Sequence, residues 1–175
     1  MEFQNQQIDT LILPSSETII FEKLDPAYKK IRIYINIIIF SILLLLYLSA
    51  GIFFRFLLDF PWILLFSIGW SILFGLSTFM AIKRYDYEGF AIREKDIMFK
   101  SGIFFRSTLI IPFNRVQHCE IEQGPIDRFF NLSELSLFTA GGSGSDLMIP
   151  GLTHEKSAAL KNFITKRVAV SDEEE

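Results

Sequence analysis

Cysteine and histidine carry the most reactive side chains of this sequence, and they are few: Cys119, His118 and His154. A cysteine nucleophile needs a histidine within hydrogen-bond reach. His118 and Cys119 are adjacent, and adjacent residues of a strand face opposite sides. His154 is expected in the first turn of a helix, remote along the chain. No catalytic pair is assigned. A single cysteine closes no internal disulfide and lacks the companions of a zinc site. No metal and no cofactor is expected.

Two other groups of residues have binding chemistry. Gly141-Gly142-Ser143-Gly144-Ser145 has the backbone freedom to cradle a phosphate. No lysine follows it and it opens no helix, so it is not a P-loop. It is expected as a link between two strands. Lys95, Lys100 and Arg106 fall around the first β-hairpins and are the candidate contacts for lipid headgroups, since each cation near an anionic leaflet contributes about 1 kcal/mol. Acidic residues intermingle with them. The net charge of −3 offers no basic domain, which argues against nucleic acid as a partner.

The elements that must position these groups divide sharply. Between Ile33 and Ile82 the only charged residues are Arg55 and Asp59. The uncharged runs 33–54 and 60–82 are each long enough, at ~1.5 Å per residue, to cross ~30 Å of hydrocarbon. The short link between them makes a hairpin. Asp59 is expected to cap the second helix, with Pro61 in its first turn. Lys23, Lys29, Lys30 and Arg32 precede the hairpin, and Lys83 and Arg84 follow it, against Arg55 alone in the link. Both termini are therefore expected in the cytoplasm. Ser67, Ser71 and Gly75 recur at every fourth position and are expected to pack the two helices. Asn36, one turn from Arg32, is expected at the interface. No charge lies inside either span, which speaks against an ion path. The polar residues 1–32 make the first apolar run an internal anchor rather than a signal peptide.

Beyond the hairpin, turn signals recur at short intervals: Glu94-Lys95-Asp96, Ser101-Gly102, Phe113-Asn114 and Gly124-Pro125. Between them, Ile97 and Phe99 alternate with Met98 and Lys100, and Cys119 and Ile121 with Glu120 and Glu122. This predicts a β-meander. Residues 126–131 are expected as a helical turn. Leu160, Phe163, Ile164 and Val168 form a helical stripe over 153–168, capped by Thr153. Phe104-Phe105 and Phe129-Phe130 each leave one ring to point outward.

Several motifs run in order along residues 21–165. They are Phe21-Glu22-Lys23-Leu24-Asp25-Pro26, Lys100-Ser101-Gly102-Ile103, Ile111-Pro112 with Asn114-Arg115-Val116-Gln117, Gln123-Gly124-Pro125-Ile126-Asp127-Arg128-Phe129, Thr139-Ala140-Gly141-Gly142, and Ile149-Pro150-Gly151-Leu152. In this order and spacing the sequence resembles the YdbS-like bacterial membrane proteins. One departure is Asn131, where that family has glycine; asparagine is the next best residue for a left-handed backbone. The resemblance implies a pleckstrin-homology-like domain on a membrane anchor, no catalytic activity, and assembly with larger relatives bearing further copies of the domain.

The expected fold is a membrane α-hairpin of two transmembrane helices followed by a mainly-β, pleckstrin-homology-like roll with a C-terminal helix. It divides into a cytoplasmic segment 1–32, the hairpin 33–82, the roll 83–170 and an acidic tail 171–175. The expected function is a non-enzymatic scaffold or protein-interaction subunit at the cytoplasmic face of the cell membrane. The alternative is binding of anionic lipid headgroups. The expected partners are membrane lipids and a second copy or a related membrane protein of the same kind.

Overall fold

A computed structural model describes residues 19–140 and 144–173, with side chains as far as Ala169. Most of the N-terminal segment, Gly141 to Ser143 of the glycine-rich link, and the end of the acidic tail lie outside the described residues.

Helix α1, Pro26–Phe53, begins well before the uncharged run. Pro26 is pre-set for a first helical turn, and the Asp25 side chain accepts the Ala27 N–H at 2.8 Å. A 3-10 turn, Arg55–Leu58, reverses the chain into α2, Trp62–Tyr87. The expected Asp59 cap is not made. Pro61 holds the cap position of α2 without a side-chain bond, and Asp59 contributes only its carbonyl, to the Ile63 N–H at 3.1 Å.

The seam between α1 and α2 is aromatic. Tyr47 stacks on Phe66 at 3.5 Å, and Phe40 meets Trp70 and Phe74 edge-on. Asn36 is buried in this seam rather than free at the interface. It donates to the Thr78 hydroxyl at 2.8 Å and accepts from Ser77 at 2.7 Å. Ser67, Ser71 and Gly75 do not pack the two helices. Both serines are exposed, and a Cβ on Gly75 would meet nothing within 4 Å. Large rings fill the seam and turn the small residues outward. Both helices are long and apolar enough to cross a membrane, and their isoleucine, leucine and phenylalanine side chains lie largely exposed. Only an apolar solvent suits such a surface.

The roll is two antiparallel sheets. The first has the order β1-β2-β3-β4, from Glu22–Lys23, Gly89–Ile92, Asp96–Ser101 and Ser107–Pro112. The second has the order β5-β6-β7, from Val116–Glu122, Leu132–Thr139 and Leu147–Thr153. A 3-10 turn at Phe113–Arg115 carries the chain from one sheet to the other. The short helix α3, Pro125–Phe129, is the expected helical turn. It closes on Asn131 at φ 54°, the left-handed position where asparagine stands in for glycine. Helix α4, His154–Glu173, outruns its expected end and takes up the start of the acidic tail. Thr153 accepts the Lys156 N–H at its start, at 3.3 Å.

The core lies between the sheets and α4. Phe90, Ile97, Ile111, Leu135, Leu137, Ile149 and Ile164 form its centre. Leu24, just before α1, and Tyr85, at the end of α2, belong to the same cluster. Hairpin and roll therefore share one hydrophobic core.

Candidate functional site at the junction of hairpin and roll

The sequence places Leu24-Asp25 immediately before the hairpin and Tyr85 to Glu88 immediately after it. These residues bind the anchor to the roll. The Asp25 N–H donates to the Gly151 carbonyl at 2.9 Å, and the Tyr85 hydroxyl donates to the Leu24 carbonyl at 2.8 Å. Gly151, at φ +64°, leaves room for the ring of Tyr28. The motifs on either side of the hairpin and in the last strand are thus contact partners.

Beside them sits a buried charge network. The Glu88 carboxylate is 2 % exposed, and its Oε1 accepts from Arg32 Nη2 at 3.0 Å and Arg84 Nε at 2.9 Å. Arg32 also lies 4.8 Å over the Tyr28 ring. A buried carboxylate needs such partners to remain charged. The three residues come from α1, α2 and the approach to β2, so they fix the exit of both helices relative to the roll. Arg32 Nη1 and Glu88 Oε2 are buried without a protein partner.

A cavity of about 610 Å³ opens next to this network. Its walls are α1, α2 and the turn between β3 and β4. Arg32 and Arg84 stand at one end. Ile35, Ile39, Met80 and Ala81 continue the walls along the helices, and Ile103 to Phe105 close the third side. Phe104 and Phe105 are 76 % and 93 % exposed. The cavity has the size of a small-molecule site and a graded lining, charged at one end and apolar at the other.

The candidate lipid contacts do not converge. Lys95 lies in the turn before β3, and Lys100 and Arg106 lie at the far end of that strand. The strand's length separates them by roughly 17 Å. Lys100 sits over the Phe21 ring and Arg106 over the Tyr87 ring, both beside the hairpin. Cys119 is buried on the core side of β5, and burial pushes its thiol up, against a smaller opposing pull from Lys161. His118 is exposed on the other face, stacked on Phe138 at 4.3 Å. His154 is exposed at the start of α4. The three do not form one site. Arg32, Glu88 and Tyr28 were not singled out by motif or spacing. The one available signal is that Arg32 is the last charge before an otherwise uncharged block, with Arg84 and Glu88 among the first charges after it.

A family model described as Bacterial PH domain matches residues 33–168. The transmembrane protein YdbS of Bacillus subtilis (strain 168) is 33% identical over 85 residues, which is 49% of this chain and 52% of that protein. The chain thus spans about half the length of this curated relative. No solved structure matches.

Proposed function

Because this chain belongs to the bacterial PH domain family, we propose that it is a membrane-anchored, non-enzymatic scaffold. Its roll works at the cytoplasmic face of the cell membrane by binding a second copy or a related PH-domain membrane protein. Orientation is supported by the basic residues that flank the hairpin, against Arg55 alone in its turn. It is supported also by β1 and β2. They pair directly, Glu22 with Phe90 and Lys23 with Gly89, although the whole hairpin separates them. Both ends of the hairpin then leave the membrane on one side.

The observation that carries the interaction role is strand β4. It forms the edge of its sheet among the described residues, and it carries Leu109 and Ile110 exposed. An open edge with apolar side chains is a template for strand addition by another chain. Anchored copies share one plane and one orientation, which presents such edges to each other. Cross-linking in intact membranes, followed by affinity purification in mild detergent, tests the reading. A second copy or a related membrane protein should be recovered in stoichiometric amount. Recovery as a monomer alone rejects it.

A second reading is attraction of the roll to anionic lipid. Lys100 and Arg106 favour it, because both lie at the hairpin side of the roll. Binding through them should fall steeply as salt rises.

A further inference from the structure

The cavity between the hairpin and the β3–β4 turn has a chemistry that neither the scaffold role nor the exposed lysines use. We propose that it is a site for one acidic phospholipid, held by its phosphate at Arg32 and Arg84 with an acyl chain laid along Ile35, Ile39 and Met80. This inference is independent of the assembly reading.

Three observations support that occupant. The first is the polarity gradient. From Arg32 to Ile39 the α1 wall advances about 10 Å along the helix, from the last charges before the uncharged block into the apolar span. A ligand lying along this wall must be charged at one end and apolar over the rest. Asn36 and Ser77 also line the cavity, but their polar groups bond to each other. The second is charge. Arg32 and Arg84 share the single carboxylate of Glu88, which leaves one positive charge, the complement of one phosphodiester. Both arginines line the cavity, and a guanidinium is suited to bind phosphate through two N–H groups. The third is the turn. Gly102, at φ +100°, bends the chain so tightly that a Cβ there would overlap the Phe105 carbonyl. That bend brings Ile103 to Phe105 alongside Ile35 and Met80. The exposed rings of Phe104 and Phe105 would then close the lipid's third side.

The test uses the full chain purified in a non-ionic detergent and measured by native mass spectrometry. The probes are dioleoyl phosphatidylglycerol, dioleoyl phosphatidylcholine and inorganic phosphate. One phosphatidylglycerol should be retained per chain, about tenfold more tightly than phosphatidylcholine. Inorganic phosphate should neither bind stably nor displace the lipid. Arg84→Gln should weaken retention about tenfold, Arg84→Lys should restore part of it, and Ala81→Trp should block it by filling the apolar wall. The double variant Lys100→Gln, Arg106→Gln should bind as the wild type does. Equal retention of the two lipids overturns the proposal. So does phosphate binding without lipid, or retention that Arg84→Gln leaves unchanged. Loss of retention in the Lys100/Arg106 variant alone would move the site to the roll surface and equally overturn it.

Discussion

The ring of Tyr28 lies so close to Gly151 that a Cβ at that glycine would come within 2.4 Å of it. This contact joins the first turn of α1 to strand β7, and with the Asp25–Gly151 hydrogen bond it sets the anchor against the roll. Gly151→Ala should therefore fail on two counts, a left-handed backbone that resists a side chain and a ring in the way. The backbone alone costs about 1–3 kcal/mol. Thermal unfolding in detergent should show a lower Tm, and adding Tyr28→Ala should recover only the part due to the ring.

Glu88 holds Arg32 and Arg84 from one buried oxygen. Its replacement by alanine leaves the poorly exposed Arg32 without its counter-charge, a change that costs about 3–5 kcal/mol when a buried pair is broken. Glu88→Ala should lower Tm and expose the region after Tyr85 to limited proteolysis. Glu88→Gln, which keeps a hydrogen-bond acceptor, should be milder. Equal protease resistance of wild type and Glu88→Ala would reject a clamp at this position.

Asn131 is the left-handed residue that closes α3. Asn131→Gly should be neutral or slightly stabilising, while Asn131→Val should cost about 1–2 kcal/mol because a branched side chain resists that backbone. Denaturant titration of the two variants separates these outcomes.

Glu134 pairs directly across the sheet with Glu122. Its carboxyl titrates above the ordinary value of 4.5, through burial first and then the charges of Glu122 and Asp127. The folded state thus holds this proton more tightly than the unfolded chain. Folding is penalised above the folded pKa, and the penalty disappears below the ordinary value. Glu134→Gln should raise Tm at about pH 7 and match the wild type at about pH 4. A gap of the same size at both pH values would show that the charge is not its cause.

Ile110 lies exposed on the edge strand β4. Ile110→Lys should leave the roll folded and reduce cross-linking between chains, since a lysine on an edge opposes strand addition. Unchanged cross-linking would place the assembly surface elsewhere.

The hairpin was legible in the sequence because charge is absent from two long runs and present at their ends. The meander was legible from its turn signals, and Asn131 from the backbone tolerance of asparagine. The start of α1 was not. Lys29, Lys30 and Arg32 resemble a polar approach, yet Asp25 and Pro26 already open the helix there. Ser67, Ser71 and Gly75 have the right spacing for packing, but spacing does not say which face is turned inward, and the rings of Tyr47 and Phe66 decide that. The Arg32–Glu88 pair joins residues on opposite sides of the hairpin. Periodicity within one element is silent about such a pair, and only the topology brings it together.

Strands β1 and β2 are neighbours in one sheet with both spans between them in the chain. The order of synthesis then limits the order of folding. Glu22 and Lys23 are made before β2 and have no strand to join until α2 is complete. Asp25 waits longer, for Gly151 of β7, the last of the described strands. On the proposed two-span topology, a chain that inserted only one helix would hold β1 and β2 on opposite sides of the membrane, and its roll would remain open. On the proposed topology, completion of the sheet is in this sense a check that both helices were inserted.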